Sequence, residues 1–237
     1  MLNIFRAKRK FQNLDWMQID MHSHILPSLD DGAASLEDGL QLIERLNGLG
    51  IRKFFFTPHI FQGMYPNTPE RIATAYESIL NSKYADVAGG FAAEYMVDTY
   101  FDSLIQKGDS LATLPNNHIL IEMSYIQESS LIEKVIFDLQ VNGLKPILAH
   151  PERYVFYHGN VKAVKRLREL GCLLQLNLLS LYGYYGSNEK KAARQLSDKG
   201  LVDLVGSDVH HMRHIKALEH WIGKEDLWPS FKHCNLK

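Results

Sequence analysis

The sequence predicts an α/β protein, a distorted, TIM-like β/α barrel of seven parallel strands, on three observations. Short apolar runs alternate with amphipathic helical patterns, which implies right-handed βα units and a mainly parallel sheet. Gly50, Gly143, Gly171 and Gly200 each stand just before a new apolar run. The polar residues that break the apolar runs fall at their C-terminal ends, where barrel enzymes gather their active sites.

In chain order, Met17–Met21 reads as the first strand and Ser35–Leu49 as a helix. Ser35 suits the N-cap, Glu37 and Asp38 suit the first turn, and Leu36, Leu40, Ile43 and Leu46 recur at helical spacing. Ile51–Phe56 is the second strand, and Thr68-Pro69-Glu70 opens a helix in the order cap, proline, acid. Further strands are expected at Val87–Ala93, His118–Met123, Pro146–Ala149, Leu173–Leu178 and Val202–Gly206. Helical patterns lie at Asp98–Gln106, Leu131–Val141, Val161–Leu170 and Glu189–Ser197.

With 237 residues, 46% of them hydrophobic, the chain suits one domain over residues 17–237, behind an extension over residues 1–16. In that extension Arg6, Lys8, Arg9 and Lys10 lie among Phe5, Phe11 and Trp16. It reads either as an arm for a membrane surface or acidic partner, or as a solvated lead-in whose aromatics pack on the barrel. The second reading is favoured. A net charge of −1 gives no field to gather nucleic acid. No apolar run is long enough to span a bilayer and no signal-peptide core is present, so the cytoplasm is expected.

The strand ends carry the chemistry. They supply Asp20, His22 and His24, then Asp30 and Asp31 in the following loop, His59, Glu94, Glu122, His150 with Arg153, and Asp208 with His210. In an extended segment residues two apart face one way, so His22 and His24 can grip one ion, as can Asp208 and His210. Imidazoles mixed with carboxylates suit Mn, Fe or Zn. His22, His24, Asp31, His59, Glu94, Glu122, His150, Asp208 and His210 exceed the needs of one ion, so two to three are expected. Clustered divalent ions generate hydroxide near neutral pH and neutralise phosphate-ester oxygens. His-x-His alone would be weak; the coincidence across strand ends is what counts. His118, His158, His211, His214, His220 and His233 do not share the placement and read as surface residues. Cys172 opens an apolar strand and Cys234 lies in the tail, so no cysteine-dependent phosphatase loop is present. No glycine-rich phosphate loop with a lysine appears either.

The run IDMHSHILPSLDDGAASLEDGL, followed in order by TPH, AAEY, IEMSY, AHPERY and SDVHH, resembles the bacterial PHP-type protein-tyrosine phosphatases that regulate capsule and exopolysaccharide synthesis. The resemblance covers residues 19–211. It implies a PHP-type barrel with up to three metals, usually manganese, acting on phosphotyrosine in the C-terminal tail of a bacterial tyrosine kinase. It further implies that His22, His24, Glu94 and Asp208 hold one ion. Glu94 would bridge to a second, completed by Glu122 and His150, while Asp31, His59 and His210 hold a third. Arg153 would clamp the phosphate, and Asp20 would support the histidines from behind. Two departures stand out: Ile60 and Phe61 follow His59 where basic residues are common, and Arg213, the candidate second phosphate-binding arginine, sits close to the Asp-x-His pair.

The expected reaction is in-line attack by a metal-bound hydroxide on phosphotyrosine. Phe61, Tyr65, Tyr125 and Tyr154 are rim candidates for stacking on the substrate ring. A small-molecule phosphatase of the histidinol-phosphate type is the alternative. A nuclease-like phosphoesterase lacks a basic stripe, an amidohydrolase would need a strand-four lysine, and a silent kinase-docking scaffold would not keep a full ligand set. A homo-oligomer is compatible with the sequence. The Tyr182–Gly186 loop reads either as mouth lining or as plain glycine-flexed surface.

Overall fold

A computed structural model describes residues 13–225 together with Leu227 and Phe231. Most of the basic-aromatic extension, residues 1–12, lies outside the described residues, as do His233 and Cys234. Leu14 is buried, and Trp16 stacks on Phe231 with ring centroids 5.4 Å apart.

The elements follow the expected alternation. They are β1 (Ile19–Asp20), α1 (Leu36–Gly48), β2 (Lys53–Phe56), β3 (His59–Ile60), α2 (Pro69–Leu80), β4 (Ala88–Phe91), β5 (Glu94–Met96), α3 (Thr99–Lys107) and β6 (His118–Glu122). Then come α4 (Ile132–Val141), β7 (Lys145–Ala149), α5 (Val161–Glu169), β8 (Leu173–Asn177), α6 (Leu178–Tyr182), α7 (Ser187–Asp198), β9 (Leu204–Gly206) and α8 (Met212–Ile222). The capping chemistry explains several starts: the side chains of Ser35, Thr68 and Asp98 each accept the backbone N–H three residues on. Helices α6 and α8 were not anticipated. The apolar run of β8 passes straight into α6 at Leu178, and α8 lies mostly beyond the last recognisable motif.

The single seven-stranded barrel needs correction. The described residues form nine strands in two sheets, β1-β2-β4 and β3-β5-β6-β7-β8-β9, all pairs parallel, and neither sheet closes. The cause lies in two expected strands that break. Thr57-Pro58 separates β2 from β3, and proline has no N–H to give a ladder. The β2–β4 register slips between Phe54 and Phe55, passing over Gly89 next to Gly90 at φ 138°, and the chain resumes in β5 as part of the other sheet. A parallel bridge between Ser23 and Val209 links the continuation of β1 to that of β9.

Side-chain alternation sorts the sheet into two faces. On β6, Ile119 and Ile121 pack toward the helices, whereas Leu120 joins Ala92, Ile147 and Ala149 in a small inner cluster. One step beyond Leu120 on the same face stands Glu122. The interior is therefore apolar at its base and charged at the C-terminal end of the strands. A cavity of about 370 Å³, lined by Ile19, Met21, Phe55, Leu114, Ile147 and Leu173 among others, opens at the base, away from the charged end.

Candidate metal centre

The centre is built around Glu94, the first residue of β5, which is fully buried. Its Oε2 lies 3.2 Å from His22 Nε2, 3.2 Å from His24 Nε2 and 3.2 Å from His59 Nδ1, and has no hydrogen-bond partner among the described residues. Its Oε1 faces His150 Nε2 at 3.0 Å. Asp208 Oδ1 lies 3.4 Å from the Nε2 atoms of both His22 and His24, which are themselves 3.2 Å apart.

The tautomers decide what this means. His22 Nδ1 sits 2.8 Å from Gln175 Oε1, and His24 Nδ1 sits 2.8 Å from Asp30 Oδ2. Both partners only accept, so each Nδ1 carries the proton and each Nε2 presents a lone pair inward. Two imidazole lone pairs and two carboxylate oxygens thus face one another across 3.2–3.4 Å, an arrangement that only a positive charge can satisfy. For ligand atoms held at about 2.0–2.2 Å from a common ion, such separations are those expected.

The electrostatics also call for positive charge there, because with no ion bound the carboxylates favour a further proton on these imidazoles. Burial alone would lower the histidines, yet Glu94 and Asp208 raise His22, and Asp30 with Glu94 raises His24 well above its ordinary value. Burial also opposes protonation of His59, but Glu122 drives it up to about 9. Against its own burial, Glu94 is held well below the usual carboxylate range by His22 and His59. The donor set fits divalent cations.

Four groups of ligand atoms converge: His24, Asp31, His59 and His210; His22, His150 and Asp208; His22, His24 and Glu94; and His59, Glu94 and Glu122. All nine sequence-derived ligand residues are in this cluster. The groupings differ from the expectation: Glu122 Oε1 meets His59 Nδ1 at 2.7 Å rather than sharing a group with His150, His150 and Asp208 group with His22, and His24 joins Asp31, His59 and His210. His150 and Asp208 reach the centre from left-handed backbone, at φ 34° and φ 51°. Such conformations cost about 1–3 kcal/mol in non-glycine residues and persist where surrounding structure enforces them.

Glycines back both histidines of the His-x-His pair. A Cβ on Gly32 would lie 2.0 Å from His24 O, and one on Gly206 would lie 2.7 Å from His22 Cβ.

The family described as "Capsular polysaccharide synthesis, CpsB/CapC" matches residues 18–217. The chain belongs to that family. Within CpsB/CapC it is 30% identical over 199 residues to the tyrosine-protein phosphatase YwqE of Bacillus subtilis (strain 168), covering 82% of this chain and 78% of the relative. It is 30% identical over 203 residues to the tyrosine-protein phosphatase CpsB of Streptococcus pneumoniae, covering 82% and 83%. A solved structure from work describing YwqE and CpsB as "unique metal-dependent tyrosine phosphatases" superposes with a TM-score of 0.75 at 29% identity, over 87% of this chain and 88% of that one.

Other expected residues of this CpsB/CapC chain fall in varied places. Arg153 is at the mouth, its Nη1 3.2 Å from Asp208 Oδ2. Its guanidinium carbon lies 4.3 Å from the Tyr125 ring centroid and 4.1 Å from that of Tyr185. Asp20 does not touch the imidazoles. It accepts from Ser207 N at 2.9 Å and Ser207 Oγ at 2.5 Å, joining β1 to the end of β9, and burial pushes it up to about 6. Tyr154 is not on the rim: it is fully buried, its hydroxyl accepting from Met123 N and donating to Ala149 O. Tyr65 stacks on His59, 5.3 Å between centroids, and Phe61 pairs with it across a tight turn. Arg213 is exposed and contacts His211 rather than the centre. His214, read as a surface residue, is buried and accepts from His210 N through Nδ1.

Sequence reasoning missed the residues that hold the ligands. Asp30 is one; Gln175 and Asn177 are others. Gln175 Nε2 donates to Asn177 Oδ1 at 3.0 Å, and Asn177 Nδ2 donates to Asp208 Oδ2 at 2.5 Å. An unbroken run therefore passes from His22 through both amides to Asp208. The available signal was Gln-x-Asn inside an apolar strand, where an amide is costly unless bonded.

Proposed function

We propose that this chain is a metal-dependent protein-tyrosine phosphatase acting in the cytoplasm on phosphotyrosine in the C-terminal tail of a bacterial tyrosine kinase that controls capsule or exopolysaccharide synthesis. The observation that carries the reading is the set of inward-facing lone pairs on His22, His24, Glu94 and Asp208, with Arg153 beside them. Family membership supports the substrate class.

Two to three divalent ions fit the donor set, manganese first and iron or zinc as alternatives. His22, His24, Glu94 and Asp208 would hold one, and Asp31, His59 and His210 another. Glu94, Glu122 and His150 would complete the cluster. When bound, such ions make water acidic enough to ionise near neutral pH and offset charge on phosphate-ester oxygens. The protein's own groups do the remaining work. Gln175 and Asp30 each accept a hydrogen bond from an Nδ1, so that Nε2 is the nitrogen aimed at an ion, and Asn177 holds Asp208 Oδ2 so that Oδ1 faces inward. Arg153 would take charge developing on the phosphoryl oxygens.

The recess supports choice of the tyrosyl ester. His22, His24, Glu94, His150 and Asp208 are buried, while Tyr125, 38% exposed, leans over His150 at the mouth. A long, flat phosphotyrosine reaches such a site with its peptide outside, whereas phosphoserine brings its backbone against the rim. The same reading treats the two sheets as one interrupted ring of seven extended segments, supported by the Ser23–Val209 bridge. The test is side-by-side turnover of phosphotyrosyl and phosphoseryl peptides, histidinol phosphate and a short oligonucleotide by the manganese-loaded protein. Marked preference for the first is expected. Faster turnover of histidinol phosphate would transfer the assignment to a small-molecule phosphatase.

A further inference from the structure

Two aromatic rings enclose the arginine at the mouth. Tyr125 comes from the loop after β6 and Tyr185 from the loop between α6 and α7. Their centroids lie 4.3 Å and 4.1 Å from the Arg153 guanidinium carbon, well inside the range in which a cation is held over a ring. One N–H of the guanidinium is spent on Asp208 Oδ2 at 3.2 Å. Among the described residues it has no other hydrogen-bond partner, which leaves its remaining donors for an anion.

The loop bearing Tyr185 is fastened to the turn bearing Arg153. Glu152, the residue before the arginine, is fully buried and accepts from Asn177 N at 2.9 Å and Ser180 Oγ at 2.6 Å. Those two contacts pin the start of α6. The helix then ends at Gly183 with φ 89°, and Gly186 at φ 142° begins the approach to α7, so Tyr184 and Tyr185 project from a tight, glycine-bounded corner. The Tyr185 hydroxyl is buried without a partner among the described residues. The contacts this side chain makes among the described residues are those of its ring, with Arg153, Tyr184 and His214.

We propose that Tyr185 is a positioning residue: its ring, with that of Tyr125, clamps the Arg153 guanidinium in the plane in which it meets a phosphoryl group. An arginine held against two rings has already lost side-chain freedom that binding would otherwise remove. The arrangement also bears on specificity. One face of Tyr125 is taken by the guanidinium, so only its other face or edge is available to a substrate ring. The inference rests on Arg153 being the phosphate-binding group of the proposed function.

Inorganic phosphate is the probe, titrated calorimetrically into the manganese-loaded full chain. Tyr185→Leu should weaken phosphate binding on the order of tenfold with metal content unchanged. Tyr185→Phe, which keeps the ring, should stay within about twofold on the same scale. In an Arg153→Ala background, Tyr185→Leu should have no further effect, because its action passes through the arginine. The proposal is overturned if Tyr185→Phe falls as far as Tyr185→Leu, if the leucine effect persists without Arg153, or if metal is lost. Since phosphate binding needs no turnover, a wild-type protein that binds phosphate but leaves phosphotyrosyl peptide intact would remove the proposed function alone. Unchanged phosphate affinity in Tyr185→Leu would remove the positioning role alone. A wild-type protein that binds no phosphate would overturn both.

Discussion

Asp30 and Asp31 are neighbours with different work, and substituting each separately distinguishes them. The Asp30 side chain is 1% exposed; that of Asp31 is 57% exposed. Asp30 Oδ2 accepts from His24 Nδ1 at 2.8 Å and from His59 N at 3.0 Å, while Oδ1 accepts from Gly32 N at 2.9 Å. Asp31 instead offers one oxygen, 3.6 Å from both His59 Nε2 and His210 Nε2. Asp30→Ala strands three donors. Gly32 is only partly buried and can rehydrate, which leaves two, each costing about 1–3 kcal/mol, so the metal-free protein should lose roughly 2–6 kcal/mol. At about 2–4 °C per kcal/mol for a chain of this size, its melting temperature should fall on the order of 10 °C. Asp30→Asn keeps an acceptor for only part of this set. Because it loosens the ring of His24, it should weaken manganese binding about 10- to 100-fold. Asp31→Asn should leave metal-free melting unchanged and weaken only one ion of the cluster. Differential scanning calorimetry of the chelator-stripped protein and competitive manganese titration read both effects. Unchanged melting in Asp30→Ala together with normal metal affinity in Asp30→Asn would refute the assignment of Asp30 as the support of His24.

Three further outcomes are expected. Elemental analysis of protein purified without chelator should find two to three divalent ions per chain, with chelation abolishing turnover and Mn²⁺ restoring it; at most one ion at full activity would end the cluster reading. Arg153→Ala should lower kcat/KM by roughly 10²–10³, as removal of one charge-stabilising donor does, with metal content retained because Asn177 still holds Asp208. Burial drives the Cys172 thiol up to about 12, so peptide mapping after iodoacetamide treatment of the folded protein should find Cys172 unmodified; ready labelling would show that its strand opens.

The cluster was legible because every ligand candidate but Asp31 stands at or just past the end of an apolar run, and parallel strands bring such ends together whatever lies between them. The break in the barrel was not, because it goes with a register slip at Gly89 that involves two distant segments at once. The choice of Asp31 as ligand, with no role given to Asp30 beside it, has a similar source. Adjacent acids look alike in a row of letters, and only the folded loop turns one inward. Gln175 and Asn177 have no charge to draw attention, yet they join His22 to Asp208. Tyr154 shows the converse error, an aromatic next to a motif taken as rim when its hydroxyl ties two strand ends inside the core.

The glycines behind His22 and His24 bear on mutational tolerance. Neither Gly32 nor Gly206 has a functional group, and no reaction scheme would include them. Yet a single methyl at either position would run into the segment that carries a ligand, His24 O in one case and His22 Cβ in the other. In a saturation scan scored by metal-dependent turnover, both positions should tolerate fewer substitutions than Asp31, a ligand candidate on the open side of the centre. A map of intolerance drawn from such a scan would then mark the space the ligands need as well as the ligands themselves, and two of its strongest signals would come from residues valued for the atoms they lack.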